Sequence, residues 1–210
     1  MKEPELFQQR EEMGYPVQQA PQAASCVVAQ QFCARHPIQL TMQRKRLTHT
    51  GGDFTVTDSN RNLVFKVAGK LFSLHDLRLL QDAAGNRLLT IKRKMFSLHR
   101  RWEAFRGNIS NQQSYAFAAK KSSVFQRKTA LDVFMAGNRD EKLCDFHVKG
   151  SYFDRSCTIY QGNRIVAEMK RKYTVKNVLL GKDTFLVMVQ PGVDYAFIVA
   201  LIVILDYMNE

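Results

Sequence analysis

Residues 195–205 (YAFIVALIVIL) form an unbroken apolar and aromatic run bracketed by Asp194 and Asp206. No polar stripe interrupts it, so whatever structure it adopts has to be covered on all sides. A membrane span requires about 20 apolar residues to cross roughly 30 Å of hydrocarbon, and this run supplies about half of that as a helix. The β-branched Ile198, Val199, Ile202, Val203 and Ile204 suit a strand, but the run exceeds the usual strand length of about 3 to 10 residues. Pro191 and Gly192 break the chain just before it, and Asp194 is placed to cap a helix start. The reading is a fully buried helix. A sheet closed around it is one way to cover every side, and the rest of the chain should then read as many short strands.

From Pro37 onward the pattern is strand, polar turn, strand. Phe54 and Val56, then Leu63, Phe65 and Val67, alternate on either side of residues 58–62, which is a hairpin signal. Gly85-Asn86-Arg87, Gly137-Asn138-Arg139 and Gly162-Asn163-Arg164 adjoin apolar runs at 77–82 and 88–94, at 131–136, and at 157–161 and 165–172. Gly and Asn tolerate the positive φ of tight hairpin turns, so these turns argue for an antiparallel meander. With further candidates at 37–46, 101–106, 114–120, 144–149, 173–179 and 184–190, the count is about a dozen. That number suits a mainly β, closed antiparallel barrel around the buried C-terminal helix better than one open sheet. Phe72-Ser-Leu-His75 recurs as Phe96-Ser-Leu-His99, read as repeated hairpin geometry because two copies are too few for a solenoid. Residues 1–30, rich in Gln, Pro, Glu and Ala, read as a disordered tail ahead of a single domain at 31–210.

Charge is the compositional feature that bears on function. The chain carries 31 Lys and Arg against 19 Asp and Glu, a net +12, and the first 34 residues hold only two of the bases and four of the acids. A basic body of this kind attracts anionic partners. Lys92-Arg93-Lys94 and Lys170-Arg171-Lys172 each end an apolar run that follows a Gly-Asn-Arg turn. Strand alternation puts Leu89, Ile91 and Arg93 on one face with Lys92 and Lys94 opposite, and Ile165, Ala167, Met169 and Arg171 on one face with Lys170 and Lys172 opposite. With the apolar faces inside a barrel, each central Arg lies near the rim. Arg100 and Arg101 add to the first cluster, and Arg44, Lys45, Arg46, Lys120, Lys121, Arg127 and Lys128 supply further charge. Arg offers a bidentate fork to phosphate and Lys a point charge, so Lys92, Arg93, Lys94, Arg100, Arg101, Lys170, Arg171 and Lys172 are the candidate anion-binding residues. Solvated faces scattered around a barrel are the plainer alternative.

Cys26, Cys33, Cys144 and Cys157 form no C-x-x-C pair, the five His are scattered, and no apolar signal segment opens the chain. Structural thiols of a reducing compartment are expected, with no metal site and no cofactor. No Gly-x-Ser-x-Gly elbow, phosphate loop or dinucleotide fingerprint occurs, so a non-enzymatic protein is expected.

Leu74-His75-Asp76, the Asp82-x-x-Gly85 turn, Trp102-Glu-Ala-Phe-Arg-Gly107, Leu131-Asp-Val-Phe134, Cys144-Asp-Phe-His-Val-Lys-Gly150 with Arg155-Ser-Cys157, and Val193-Asp-Tyr-Ala-Phe197 through Ile204-Leu-Asp206 closely resemble the plant LURP-one-related family. The resemblance covers nearly everything from Phe32 to Asp206. It implies a tubby-like fold, a barrel of about twelve strands threaded by the C-terminal helix. That fold is shared with tubby domains, which bind phosphoinositides, and with phospholipid scramblases, and some family members are associated with plant defence. The resemblance supplies no catalytic residue, and function carried at the level of fold is analogy. The resulting expectation is a monomeric regulatory module for anionic phospholipid headgroups, cytoplasmic and at the membrane periphery or in the nucleus, with no transmembrane span. A protein-interaction scaffold, and a membrane-tethered transcriptional regulator that binds nucleic acid, stay open as alternatives.

Overall fold

The computed structural model describes residues 26–45, 53–69, 77–94, 100–107, 114–122, 129–151, 156–171 and 183–208. Twelve strands are described: β1 (Ile38–Lys45), β2 (Asp53–Thr57), β3 (Leu63–Gly69), β4 (Leu77–Asp82), β5 (Arg87–Arg93), β6 (Trp102–Arg106), β7 (Tyr115–Lys121), β8 (Thr129–Met135), β9 (Phe146–Ser151), β10 (Ser156–Gln161), β11 (Arg164–Arg171) and β12 (Asp183–Val189). Each pairs antiparallel with its sequence neighbour, and β1 pairs with β12 as well as β2, which closes the barrel. Closure removes the open edges that would otherwise expose unpaired backbone groups. The helix α1 (Tyr195–Met208) fills the interior, and every residue from Ala196 to Met208 is buried. It runs three residues past the apolar stretch because Asp206 finds a partner inside, Arg44 Nε at 3.2 Å.

Alternation decides what faces the helix. Phe65 and Val67 of β3, Leu89 and Ile91 of β5, Phe146 and Val148 of β9 and Phe185, Val187 and Val189 of β12 all point inward and are buried. Aromatic rings lock the helix at three levels. Tyr195 meets Phe32 and Phe65 at 5.4 and 5.7 Å, Phe197 meets Phe117 and Phe146 at 5.0 and 4.9 Å, and Tyr207 meets Trp102 and Phe54 at 6.0 and 6.4 Å.

The segment before β1 seals the N-terminal end of the helix. One Asp194 oxygen, Oδ2, accepts the N–H groups of Val27, Val28 and Ala29 at 3.0, 2.6 and 3.3 Å, while Oδ1 accepts those of Ala196 and Phe197 at 3.0 and 3.1 Å. A single carboxylate therefore caps the helix and ties down a segment 167 residues earlier in sequence. Arg106 Nε reinforces the seal by donating to the Val27 carbonyl at 2.8 Å. Val27 is buried, and Phe32 packs on Phe65 at 5.3 Å.

Two of the three Gly-Asn-Arg turns behave as the sequence suggests, with Gly85 at φ 90° and Gly162 at φ 56°. Gly137 has no positive φ among the described residues; in the longer β8–β9 connection the left-handed position is Glu141 at φ 48°. The β2–β3 and β4–β5 turns are built alike. Asp58 accepts from the backbone N–H and side-chain amide of Asn62 at 2.8 and 2.9 Å, and Asp82 does the same for Asn86 at 2.8 and 2.9 Å. One alternation is corrected on β11. The β10–β11 register shifts beyond Ile159, so Val166 faces inward beside Ala167 and Ile165 is 42% exposed instead of sharing the face of Ala167 and Met169. The two Phe-Ser-Leu-His copies, residues 1–25, Arg46, Arg127, Lys128, Lys172 and the strand expected at 173–179 lie outside the described residues.

Candidate functional site

The end of β5 and the start of β6 bring five of the eight candidate bases together. Lys94 N–H donates to the Arg101 carbonyl at 2.8 Å, continuing the β5–β6 ladder past Arg93 opposite Trp102. Arg93, at the rim on the face of Leu89 and Ile91, is exposed, as are Lys94 and Arg100. Lys92 is half-buried instead of fully facing water, because Glu103 stands opposite it on β6 and its ammonium lies 4.9 Å from the Phe105 ring centre.

The outer wall of β5 to β7 is a charge ladder. Lys92 and Lys94 each reach Glu103 at 3.8 Å, and Arg101 Nε reaches it at 3.4 Å. Arg101 also forks onto Glu141 through Nη1 and Nη2 at 2.8 and 2.7 Å, and Lys120 Nζ donates to the same carboxylate at 3.3 Å. The Arg101 guanidinium, with Lys120 behind it, holds the Glu141 carboxyl below its usual range. Four cations thus share two carboxylates, and the ladder keeps a positive excess.

Arginines also surround the C-terminal end of α1. Arg44 pairs with Asp206, the Arg78 guanidinium carbon lies 4.0 Å from the Tyr207 ring centre, and Arg100 Nη1 donates to the Met208 carbonyl at 3.0 Å. Positive charge there complements the negative pole of the helix. It offsets a field that would otherwise repel an anion at this rim.

Lys170 and Arg171 are elsewhere. β11 lies six strands from β5 in either direction, so the described bases at the ends of β5 and β11 stand at the same rim on opposite walls. Lys170 is exposed there, and Arg171 pairs with Phe185 of β12.

A second constellation was not legible as a site in the sequence. Asp132 of β8 and His147 of β9 are direct cross-strand partners, with Asp132 Oδ1 2.6 Å from His147 Nδ1. Cys144, just ahead of β9, places its sulfur in the same group, where the potential ligand atoms all lie within 4.8 Å of one another. The available signal was Cys144-x-x-His147 read together with the hairpin register. Burial and the neighbouring Asp132 push the Cys144 thiol up, so it is not an activated nucleophile. Burial likewise pushes the Cys157 thiol up to about 12.

The fold and its basic rim define a class: a closed twelve-stranded antiparallel barrel threaded by an apolar helix. Residues 38–206 match the profile described as LURP-one-related. The chain belongs to the LURP-one-related family. Protein LURP-one-related 15 of Arabidopsis thaliana is 47% identical over 212 residues, covering 100% of this chain and 98% of that protein. Protein LURP-one-related 10 of the same plant is 49% identical over 187 residues, covering 88% of this chain and 96% of that protein. An X-ray structure of an Arabidopsis thaliana protein superimposes with a TM-score of 0.68 at 40% identity, covering 88% of this chain and 98% of the other. No helix among the described residues is long and apolar enough to cross a membrane.

Proposed function

We propose that this protein is a non-enzymatic regulatory module that binds anionic phospholipid headgroups, phosphoinositides in particular, at the rim where β5 ends and β6 begins. The observation that carries the reading is the exposure of Arg93, Lys94 and Arg100 at one end of the barrel, where β5 gives way to β6, on a chain of net charge +12. The acids of the adjoining wall, Glu103 and Glu141, are shared among Lys92, Lys94, Arg101 and Lys120, so Lys94 keeps only a long 3.8 Å contact to an acid that two other cations also engage. Arg can take phosphate through paired N–H groups, and Arg100 spends Nη1 on the helix end, which supports a fixed presentation of the rest of its guanidinium. The tubby-like resemblance points the same way, as an analogy of fold, and the defence association of the family suggests the setting. Peripheral association with the cytoplasmic membrane face follows from this reading.

Each Lys or Arg near an anionic membrane is worth about 1 kcal/mol, so removing three weakens partitioning by roughly 100-fold. The test is sedimentation of the full chain with phosphoinositide vesicles and with phosphatidylserine vesicles of matched surface charge, at physiological salt. Arg93→Gln, Lys94→Gln and Arg100→Gln combined should abolish the phosphoinositide preference, while Lys170→Gln should leave it. Binding that follows surface charge alone, or equal loss from both variants, would refute the rim as the site.

A further inference from the structure

The geometry points to a second, separate site: Asp132, Cys144 and His147 are placed to bind a divalent transition-metal ion of the zinc class on the outer wall of the barrel. The three side chains come from two paired strands and the connection between them. Asp132 and His147 occupy opposed positions of the β8–β9 ladder, on the face away from the inward Leu131, Val133, Phe146 and Val148. An aspartate and a histidine facing each other would by themselves be an ordinary hydrogen-bonded pair. The thiol distinguishes this group, because the fold holds Cys144 where its sulfur joins them.

That placement is built, not incidental. Asp145 N–H donates to the Val133 carbonyl at 2.9 Å, and Asp145 Oδ2 accepts from Met135 N–H at 2.8 Å and Asn138 Nδ2 at 2.9 Å. Asn138 Nδ2 also reaches the Leu143 carbonyl at 2.8 Å. Both neighbours of Cys144 are therefore anchored to the same asparagine, which fixes the backbone that carries the sulfur. Preorganised ligands of this kind cost little to bring together on binding.

The donor set selects the ion. One thiolate, one imidazole and one carboxylate form a mixed S, N, O set of the sort zinc takes, whereas magnesium and calcium take oxygen ligands. A carboxylate and a thiolate balance the two charges of the ion, so the bound site is neutral once the Cys144 thiol has released its proton to solvent. Tetrahedral zinc separates its ligand atoms by roughly 3.3 to 3.7 Å, from bonds of about 2.0 to 2.3 Å. The ligand atoms now lie within 4.8 Å of one another, and the 2.6 Å Asp132–His147 contact opens by about 1 Å as the ion takes its place between them, His147 then carrying its ring proton on Nε2. Three protein ligands leave a fourth position, and His147 also lines an open cleft of about 590 Å³ with Lys149, Tyr160, Gly162 and Asn163.

The test uses the full chain and cobalt(II) as a spectroscopic stand-in for zinc. Wild type should bind one equivalent with a thiolate-to-cobalt charge-transfer band that zinc bleaches. Cys144→Ser should lose the band, and Asp132→Asn or His147→Gln should weaken cobalt at least tenfold, while Cys26→Ser and Cys33→Ser keep wild-type binding. Zinc added to the unsubstituted protein should also shift the imidazole resonances of His147, a readout that needs no variant to fold. Absence of the band, or a His147 ring unmoved by saturating zinc, would overturn the assignment. So would a band that survives Cys144→Ser and vanishes in Cys33→Ser, which would move the ion to the group formed by Cys26, Cys33 and Asp194.

Discussion

Replacing Asp194 with alanine tests whether one carboxylate joins the helix to the barrel end. The change removes the acceptor for two helix N–H groups and three from the segment before β1, at a residue only 1% exposed. Losing the helix cap costs about 1 kcal/mol. The Val27 N–H is buried and has no route to water, which adds about 1 to 3 kcal/mol, while those of Val28 and Ala29 are part-buried and can be hydrated. One effect opposes these. Burial pushes the Asp194 carboxyl above its usual range against the pull of the backbone N–H groups, so ionising it costs more in the folded chain than in the unfolded one. These losses sum to about 2 to 4 kcal/mol, and the opposing effect trims them to about 1 to 3 kcal/mol, a sizeable part of the roughly 5 to 15 kcal/mol of a typical domain. Urea unfolding should show a lower midpoint with an unchanged slope, and the melting temperature should fall by about 3 to 9 °C. Asp194→Asn, which keeps one oxygen for one of the two donor groups, should lose about half as much. A loss below about 1 kcal/mol for the alanine variant would refute the hub.

Three further outcomes can be stated briefly. Ala200→Asp puts an unpaired carboxylate at a fully buried position of α1 and should cost several kcal/mol, enough to leave the chain unfolded by circular dichroism; an unchanged melting temperature would mean that the helix does not thread the barrel. Gly85→Ala, at φ 90°, should lose about 1 to 2 kcal/mol in urea unfolding while Gly137→Ala loses little, because only the first position is left-handed. Glu141→Gln should cost about 1 kcal/mol at pH 7 by removing the Arg101 fork. Since the folded carboxyl is held below its ordinary value of 4.5, that stabilisation is present above this value and disappears as pH falls through the depressed one, so wild type and variant should converge in acid unfolding curves.

Much of the architecture was legible because it is written in local patterns. An apolar run with no polar stripe can only be a core element, and alternation around turn residues fixes short strands and their inward faces. The Arg93 position followed from alternation alone. The Ile165 reading failed because a register shift at the β10–β11 pair is a property of two strands, and nothing in the β11 sequence marks it. Gly137 failed for a related reason, since its turn belongs to a longer connection organised by Asn138 and Asp145. The site was less legible than the fold. Local sequence sets Lys92-Arg93-Lys94 beside Lys170-Arg171 as like clusters, but only barrel order reveals that β5 and β11 stand on opposite walls. The Arg101–Glu141 fork spans 40 residues, and the Asp132–Cys144–His147 group depends on hairpin register, so neither shows as a linear motif.

The most direct test of the proposed binding rim is an amide nitrogen–proton spectrum of the full chain titrated with a soluble inositol polyphosphate at physiological salt. Saturable shifts confined to Arg93, Lys94, Arg100 and their β5–β6 neighbours are the expected result. Shifts centred on Lys170, or none at saturating headgroup, would contradict it.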